Sequence, residues 1–369
     1  MKNILIAIRS IFKKGRHNVM KIVSLGIGLA VGLVLIAKVY FEQSYDDFYP
    51  DRDRVYQVWA KYQQNGGELK DYPQTSGGIA PTMQQQIPEI ETVTRYTSFG
   101  DWTFTMTDTK MKYSGRCIIA DSCFFDILPR PMLIGNAKEV LSTPMYVLIS
   151  SRIAKNIGGD VIGKNFTVDN SPGRTMTIGG VFEEVPENSH SRYDVIVSMA
   201  SAGRFMWEGS PTNMLGNDRY ISYVKLHKGV NPLALEEQVR TFVNSYFPPE
   251  EQQKVGLSID FSFHKLDNLH KELPQVKRMT WILSLLAFAL IFTAVMNYIL
   301  IVISSIVNRS KEVAVHKCYG ASENNIHGMM FGEALVHIVL SLILALLLIL
   351  AFRGCLLYTS PSPRDRTRS

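Results

Sequence analysis

Cysteine is scarce in this chain: four among 369 residues, at Cys117, Cys123, Cys318 and Cys355. No CxxC pair and no Cys/His cluster at metal-ligand spacing occurs, so metal and dithiol chemistry have no foothold. Acid is absent from residues 1–21, which carry Lys2, Arg9, Lys13, Lys14, Arg16 and Lys21. Charge of either sign is absent from residues 281–307. A complete phosphate loop is also missing. Gly158 to Lys164 matches GxxxxGK, but Asn165 stands where Ser or Thr must hold the magnesium. Its expected setting, a helix before and a strand after, is the reverse of what a phosphate loop needs, so the glycines read as turns. No Ser/His/Asp order or carboxylate pair stands out. His190, with Glu187 nearby, and His264 and His270 read as structural or exposed rather than as metal ligands. An enzyme acting in its own right is therefore the least supported class.

What is present is segregated. Apolar residues make up 46% and charged residues 20%, but the apolar ones concentrate in three blocks, residues 22–39, 281–307 and 334–352. At about 1.5 Å rise per residue, the 27 uncharged residues from Trp281 to Val307 exceed a hydrocarbon core of about 30 Å. Basic residues flanking a spanning helix stay in the cytoplasm. The basic N-terminus therefore goes inside, and Glu42, Asp46 and Asp47 begin an outside domain. The net charge of +6 orients helices here and gives little support to a nucleic-acid reading. The layout is a membrane protein with α-helical transmembrane segments and a large α+β extracytoplasmic domain. A cytoplasmic interfacial helix spans 1–21, the first transmembrane helix 22–40, the large domain 41–278 and the second transmembrane helix 279–307. A cytoplasmic segment at 308–328 and a third transmembrane helix at 329–353 follow. Cys117 and Cys123 fall in the outside domain. They form a disulfide only if the compartment oxidises and the geometry permits, which a six-residue separation leaves open.

Residues 2–21 place Ile4, Leu5, Ile8, Ile11 and Phe12 at helical spacing opposite Lys and Arg, the pattern of a helix lying in the inner interface. No small-x-small cleavage site follows Ala37, which favours an uncleaved anchor over a signal peptide. Ser24, Gly28 and Gly32 recur every four residues, a stripe that lets another helix approach closely. Asn297 lies inside the second span, where an interhelical hydrogen bond is the modest reading and a functional polar site the alternative. Glu333 and His337, four apart, pair near the interface or serve a proton relay. In the outside domain, strands are expected at 55–60, 92–97, 102–106, 165–168, 175–182, 220–226 and 257–264. Helices are expected at 80–86 and 233–246, a helical turn at 123–128, and a strand running into a helix over 145–157.

The last residues, CLLYTSPSPRDRTRS, break the pattern. Cys355 to Asp365 back-translates to a sequence resembling a transposase-type sequencing adapter. Residues 355–369 are therefore expected to be a library artefact rather than a natural basic, Pro-rich tail. The natural chain is then expected to continue past Gly354. Leaving out Arg364, Asp365, Arg366 and Arg368 lowers the net charge to +4.

Several stretches carry a family likeness. SYDDFYPDRDRVYQV at 44–58, SSRIAKNIGGDVIGKNFTV, IGGVFEEVPENSHSRYDVIVSM, NRSKEVAVHKCYGAS at 308–322 and FGEAL at 331–335 occur in this order. With the topology above, the chain resembles the MacB/FtsX-like permeases of ABC transporters: a MacB-like periplasmic core domain plus an FtsX-like transmembrane domain, cut short at its C-terminus. The resemblance implies a fourth spanning helix beyond Gly354. It implies no catalysis and no cofactor in this chain, since ATP and Mg²⁺ belong to a partner ATPase. Arg309, Lys311, Glu312, Lys317 and Gly320 would form the segment that grips that ATPase. The implied partners are the membrane, an ABC ATPase subunit, a second copy or a similar half, and a periplasmic adaptor or outer-membrane component. The wording of 44–58 is similar to Bacteroidetes-type members, which makes the outside the periplasm and the membrane the bacterial inner membrane. Export or efflux of a substrate is the implied function. The alternative is an FtsX-type transmitter that regulates cell-wall hydrolases. A sensor feeding a kinase is disfavoured, because the chain re-enters the membrane about twenty residues after Val307 instead of extending as a cytoplasmic coiled coil.

Overall fold

A computed structural model describes residues 18–169, 171–308, 314–315, 318–319 and 323–352. The chain divides into two compact units, one comprising residues 1–43 with 274–369, the other Ser44–Leu273. The interfacial helix before residue 18, the residues 309–313 of the cytoplasmic segment and the tail after 352 lie outside the described residues.

The first unit contains α1 (Asn18–Gln43) and, at the far end of the chain, two further long helices. Among the described residues, three helices are long and apolar enough to cross a membrane, over Asn18–Gln43, Pro274–Ser304 and Met330–Ala351. Each extends past its uncharged block, because flanking polar residues continue the helix where water can reach them.

The large domain follows α1. Its elements are β1 (Val55–Gln64), β2 (Lys70–Tyr72), α2 (Ile79–Gln86), β3 (Ile90–Met106), β4 (Lys112–Ala120), α3 (Phe124–Ile127) and β5 (Met132–Ile134). Then come α4 (Ala137–Ser142), β6 (Tyr146–Ser150), α5 (Ser151–Ile157), β7 (Asn165–Val168), β8 (Ser171–Phe182), β9 (Val195–Ser198) and α6 (Ala202–Phe205). The domain closes with β10 (Ile221–Leu226), α7 (Glu236–Tyr246), α8 (Pro249–Val255) and β11 (Leu257–Lys265). Helices α9 (Pro274–Asn308) and α10 (Glu323–Ala351) complete the chain.

Local chemistry sets many of these ends. Asn136 caps α4 by accepting from the amides of Lys138 and Glu139 at 3.0 and 3.3 Å. Ser150 accepts from Ile153 N at 3.4 Å to start α5. Pro249 opens α8, and Gly256, at φ +68°, ends it.

The strands form one eleven-stranded sheet of order β11-β1-β10-β3-β4-β9-β6-β8-β5, with β2 beside β1. Strand β7 bridges β3 and β8, so the pairings β3-β4-β9-β6-β8-β7 return to β3 and close a ring. Trp102, Phe104, Cys117, Val147, Phe166, Met176 and Val197 belong to the buried cluster of this region. A second core lies where α2 and α7 cover the open part of the sheet, built on Val58, Met83, Val224, Phe242 and Phe261. A third unites Tyr49, Tyr96, Phe124, Leu141, Phe182 and Tyr223.

Strand β3 serves both regions. Its first half pairs with β10 and its second half with β4 and β7. The sequence pattern splits this stretch into two strands around Phe99-Gly-Asp101. The chain instead runs through as one, with a register shift between Ser98 and Gly100 and Gly100 at φ +73°. The glycine marks a bulge in a continuing strand rather than a reversal. The pattern also passes over β4 and β9: β9 and the last four residues of β4, Cys117–Ala120, are buried at successive positions instead of alternating, and the first half of β4 is mostly polar. The start of the expected 233–246 helix is 3₁₀, and the α-helix begins only at Glu236. Gly158, Gly159 and Gly163 all take positive φ in the turns between α5 and β7. Cys117 and Cys123 are free thiols. Cys117 is fully buried in β4, while Cys123 Sγ points to Val93 O at 3.1 Å, and burial raises both thiols above their usual pKa.

Gly100→Val is expected to lower the unfolding free energy by about 1–3 kcal/mol, because a β-branched residue is strained at that φ. Urea denaturation followed by tryptophan fluorescence measures it, and an unchanged midpoint contradicts the bulge's role.

Candidate functional site

Two places bring together residues from distant parts of the sequence: a seam within the membrane helices and a polar network at the root of the large domain.

The seam begins with the four-residue stripe on α1. Ser24, Gly28 and Gly32 all face α9. A Cβ at Gly28 would sit 2.3 Å from Ala294 Cβ, and one at Gly32 would sit 2.4 Å from Ile291 Cγ1. Only glycine lets the two helices come this close. Asn297 Nδ2 donates to Ser24 Oγ at 2.7 Å, one turn along the same stripe. Leu25, Ala294 and Tyr298 pack beside it with Leu29 and Val302. A second face of α1 meets α10: Gly26 lies against Leu344 and Ser341 O, and Ser341 Oγ donates to Ile22 O at 3.1 Å. On α10, Glu333, His337 and Ser341 follow at four-residue intervals and all are buried, as are Asn18 and Lys21 on α1. The rings of Tyr298 and His337 meet edge to face at 6.3 Å between centroids. The stripe therefore packs as glycine packing requires, and its Ser24 meets Asn297. Arg309, Lys311, Glu312, Lys317 and Gly320, expected to couple to an ATPase, lie outside the described residues.

The network at the root of the large domain centres on Asp46. This residue is fully buried and holds φ +59°, a left-handed conformation that Asp tolerates better than most side chains. Its carboxylate accepts from Ser189 Oγ at 3.0 Å, from His190 N at 3.3 Å and from His190 Nδ1 at 2.7 Å. Its own N–H donates to Asn188 O at 2.9 Å. Asn188 Nδ2 donates to Ser44 O at 2.7 Å. On the other side of the imidazole, Nε2 lies 2.5 Å from Tyr223 Oη and 3.1 Å from Ser191 Oγ. The Asp46 carboxylate can only accept, which puts a proton on Nδ1; Nε2 of the neutral imidazole then accepts from Tyr223, whose hydroxyl burial holds protonated. Tyr96 Oη and Ser191 Oγ share a hydrogen bond of 2.6 Å, which ties the network to β3. Tyr49, also fully buried, has its pKa raised, mainly by burial and then by the charge of Asp46.

Asp46, His190 and Ser191 thus stand in the contact order of a hydrolytic triad. Ser191 is only 4% exposed, its hydroxyl is shared with Tyr96, and Tyr223 occupies the imidazole's second nitrogen. A nucleophile needs access to substrate and an available base. This constellation holds elements together instead. It joins the segment that follows α1, the turn 186–191, and strands β3 and β10.

The same root fastens the two ends of the domain to each other. The rings of Tyr45 and His270 stack at 3.4 Å with a 7° interplanar angle. Lys271 Nζ lies 3.2 Å from Asp47 Oδ1. Leu266 is buried in the same core as Tyr49, with Phe48 and Leu269 packed against it. The sequence shows SYDDFYP and PENSH as two separate motifs. Their meeting, and the parts played by Tyr96, Ser191, Tyr223 and His270, have no local signal, because Asp46 and His190 are 144 residues apart and Asp47 and Lys271 are 224 apart.

The MacB-like periplasmic core domain family matches residues 20–242, and the FtsX-like permease C-terminal family matches residues 284–364. A crystal structure of a domain described as part of a permease protein from Porphyromonas gingivalis is similar at 33% identity and a TM-score of 0.54, covering 59% of this chain and 91% of that one. The periplasmic region of MacB from Actinobacillus actinomycetemcomitans shares 14% identity, with a TM-score of 0.40, over 59% of this chain and 92% of that one. The extracellular domain of the noncanonic ABC-type transporter YknZ from Gram-positive bacteria shares 11%, with a TM-score of 0.39, over 56% and 98%. No curated protein matches the chain.

Asp46→Ala is expected to cost about 1–3 kcal/mol of stability or more, the range for leaving buried donors without an acceptor, here the Ser189 hydroxyl and the His190 imidazole. Asp46→Asn should cost less, since Asn tolerates the left-handed backbone and its carbonyl still accepts. Equal denaturation midpoints for both variants and the parent would contradict the network. Gly28→Leu is expected to part α1 from α9. Cysteines replacing Ser24 and Asn297 should crosslink in the parent background and fail to do so beside Leu at 28.

Proposed function

Because the chain belongs to the MacB/FtsX-like ABC transporter permeases, with the periplasmic core domain family spanning residues 20–242, we propose that it is the membrane subunit through which a separate ATPase moves an extracytoplasmic domain. The movement exports a substrate or hands it over from the periplasm. The N-terminus and the 308–328 segment then face the cytoplasm, and the membrane is the bacterial inner membrane. Two such subunits, or two similar halves, work over a pair of ATPases, and the large domain meets an adaptor or outer-membrane component.

One observation carries this reading: the two ends of the large domain are fastened together. The segment leaving α1 and the segment leading to α9 are joined by the Tyr45–His270 stack and the Asp47–Lys271 ion pair. The buried Asp46–His190 contact then locks the first of these segments into the sheet. A domain whose two ends are fastened to each other can be moved as one body. Such a device suits mechanical coupling and supplies no chemistry of its own. Arg309, Lys311, Glu312, Lys317 and Gly320 are the residues assigned to gripping the ATPase, with Glu312 and Gly320 the most informative to change.

Reconstituted with its partner ATPase, Glu312→Ala or Gly320→Leu is expected to leave expression and basal ATP hydrolysis intact while abolishing coupled transport. Normal stimulated hydrolysis and normal transport in both variants would sink the assignment. Unchanged efflux on deletion of the gene, beside altered cell-wall hydrolysis, would replace transport with the transmitter function.

A further inference from the structure

Strand β11 is the outermost strand of the large sheet on its side, and its one neighbour is β1. Among the strands with an open side, β2 and β5 run three residues each, whereas β11 runs nine. In an antiparallel pair, alternate residues turn both backbone groups toward or away from the partner. The outward set of β11 is identified by two bonds. Ile259 N donates to Gln252 Oε1 at 2.9 Å, and Phe261 N donates to Asp260 Oδ1 at 2.8 Å. The same alternation turns the N–H of Phe263 outward. Among the described residues, two side chains are hydrogen-bonded to this edge, Gln252 from α8 and Asp260 from β11 itself.

Open space lies along this edge. A cavity of about 430 Å³ is lined by Gln63, Asn65, Asn244, Gln252, Ser258 and others, and one of about 380 Å³ by Lys61, Leu235, Val239, Phe261 and others. Arg240 and Asp260 line both. Arg240 is exposed on α7; Asp260 and Glu236 share its cavities, and neither they nor any other carboxylate among the described residues lies at ion-pair distance from it.

We propose that the outer edge of β11 is a docking site for an extended polypeptide segment of a partner protein, added as a further strand, with an acidic side chain of that segment meeting Arg240. The chemistry selects this occupant. Outward N–H and C=O groups recurring every second residue, about 6.8 Å apart, match the repeat of another strand. An incoming backbone carbonyl replaces each of the two acceptors; displacing Gln252 also releases its Nε2 from Phe247 O, a 2.6 Å bond that water takes over at this open edge. The exchange is close to neutral per bond, so it is reversible. The unpaired guanidinium supplies complementarity to a carboxylate. Strand β11 runs directly into Leu266–Leu273 and then α9, so a bound strand sits on the segment that joins the sheet to a membrane helix. The inference stands on the edge geometry and does not depend on whether the chain transports or transmits.

The probe is a fluorescein-labelled peptide of alternating valine and threonine with one central glutamate, matched in length to β11. It is titrated into the full chain in nanodiscs and followed by anisotropy. Saturable binding is expected, weakened about tenfold or more by Arg240→Glu and lost when alternate peptide nitrogens are methylated. Arg240 is exposed, so its replacement leaves the fold intact. Absence of saturable binding overturns the proposal, and so does binding that survives either change. A concentration-dependent dimer of the chain that Arg240→Glu dissolves would assign the edge to a second copy and overturn it equally.

Discussion

A carboxylate without water must be surrounded by donors, and Asp46 meets that demand with the hydroxyl of Ser189, the amide of His190 and its imidazole. Much of the large domain's construction follows from this. The turn 186–191 has to fold over the segment leaving α1, and the imidazole must present its second nitrogen to Tyr223 on β10. Ser191 and Tyr96 then extend the network to β3. One buried charge thereby fixes the relation between the start of the domain and the middle of its sheet. The arrangement resembles catalytic machinery in its contacts and differs in its burial, and burial decides the matter.

The sheet supplies the rigidity that such an anchor needs. Strand β3 passes from an open sheet into a closed ring of strands through the bulge at Gly100, so the two cores share a backbone. Motion of one core independently of the other would have to bend that strand. In the membrane unit, the corresponding constraint is steric. Gly28 and Gly32 bring α1 against α9 at a distance that no larger residue permits, and Asn297 and Ser24 add a hydrogen bond where lipid offers none. Each unit is thus held by contacts that leave little slack within it.

Much of this was legible in the sequence. The apolar blocks gave the three long helices, since about 20 apolar residues in a row serve few other purposes. The four-residue stripe marked the close face of α1. The order of short motifs identified the family, and the interrupted GxxxxGK was visible as turns. Less was legible where burial removes alternation. Strand β9 and the second half of β4 lie inside the sheet buried on successive positions, so a period of two is not there to be seen. The bulge at Gly100 looked like a turn, because glycine with polar neighbours signals both.

The sequence by itself determined the membrane helices, their small-residue face, the charge asymmetry around them and the family. Each is a property of composition or spacing over a few turns of chain. Only the tertiary structure decided that Asp46 meets His190 across 144 residues, that β7 closes a ring between β3 and β8, that Tyr45 stacks on His270, and that β11 is left as an edge. The physical reason is that periodicity records which side of an element is buried. It does not record against what. Partners are chosen when the whole chain closes its cores and finds a donor for every buried acceptor, a condition set by segments far apart in the sequence.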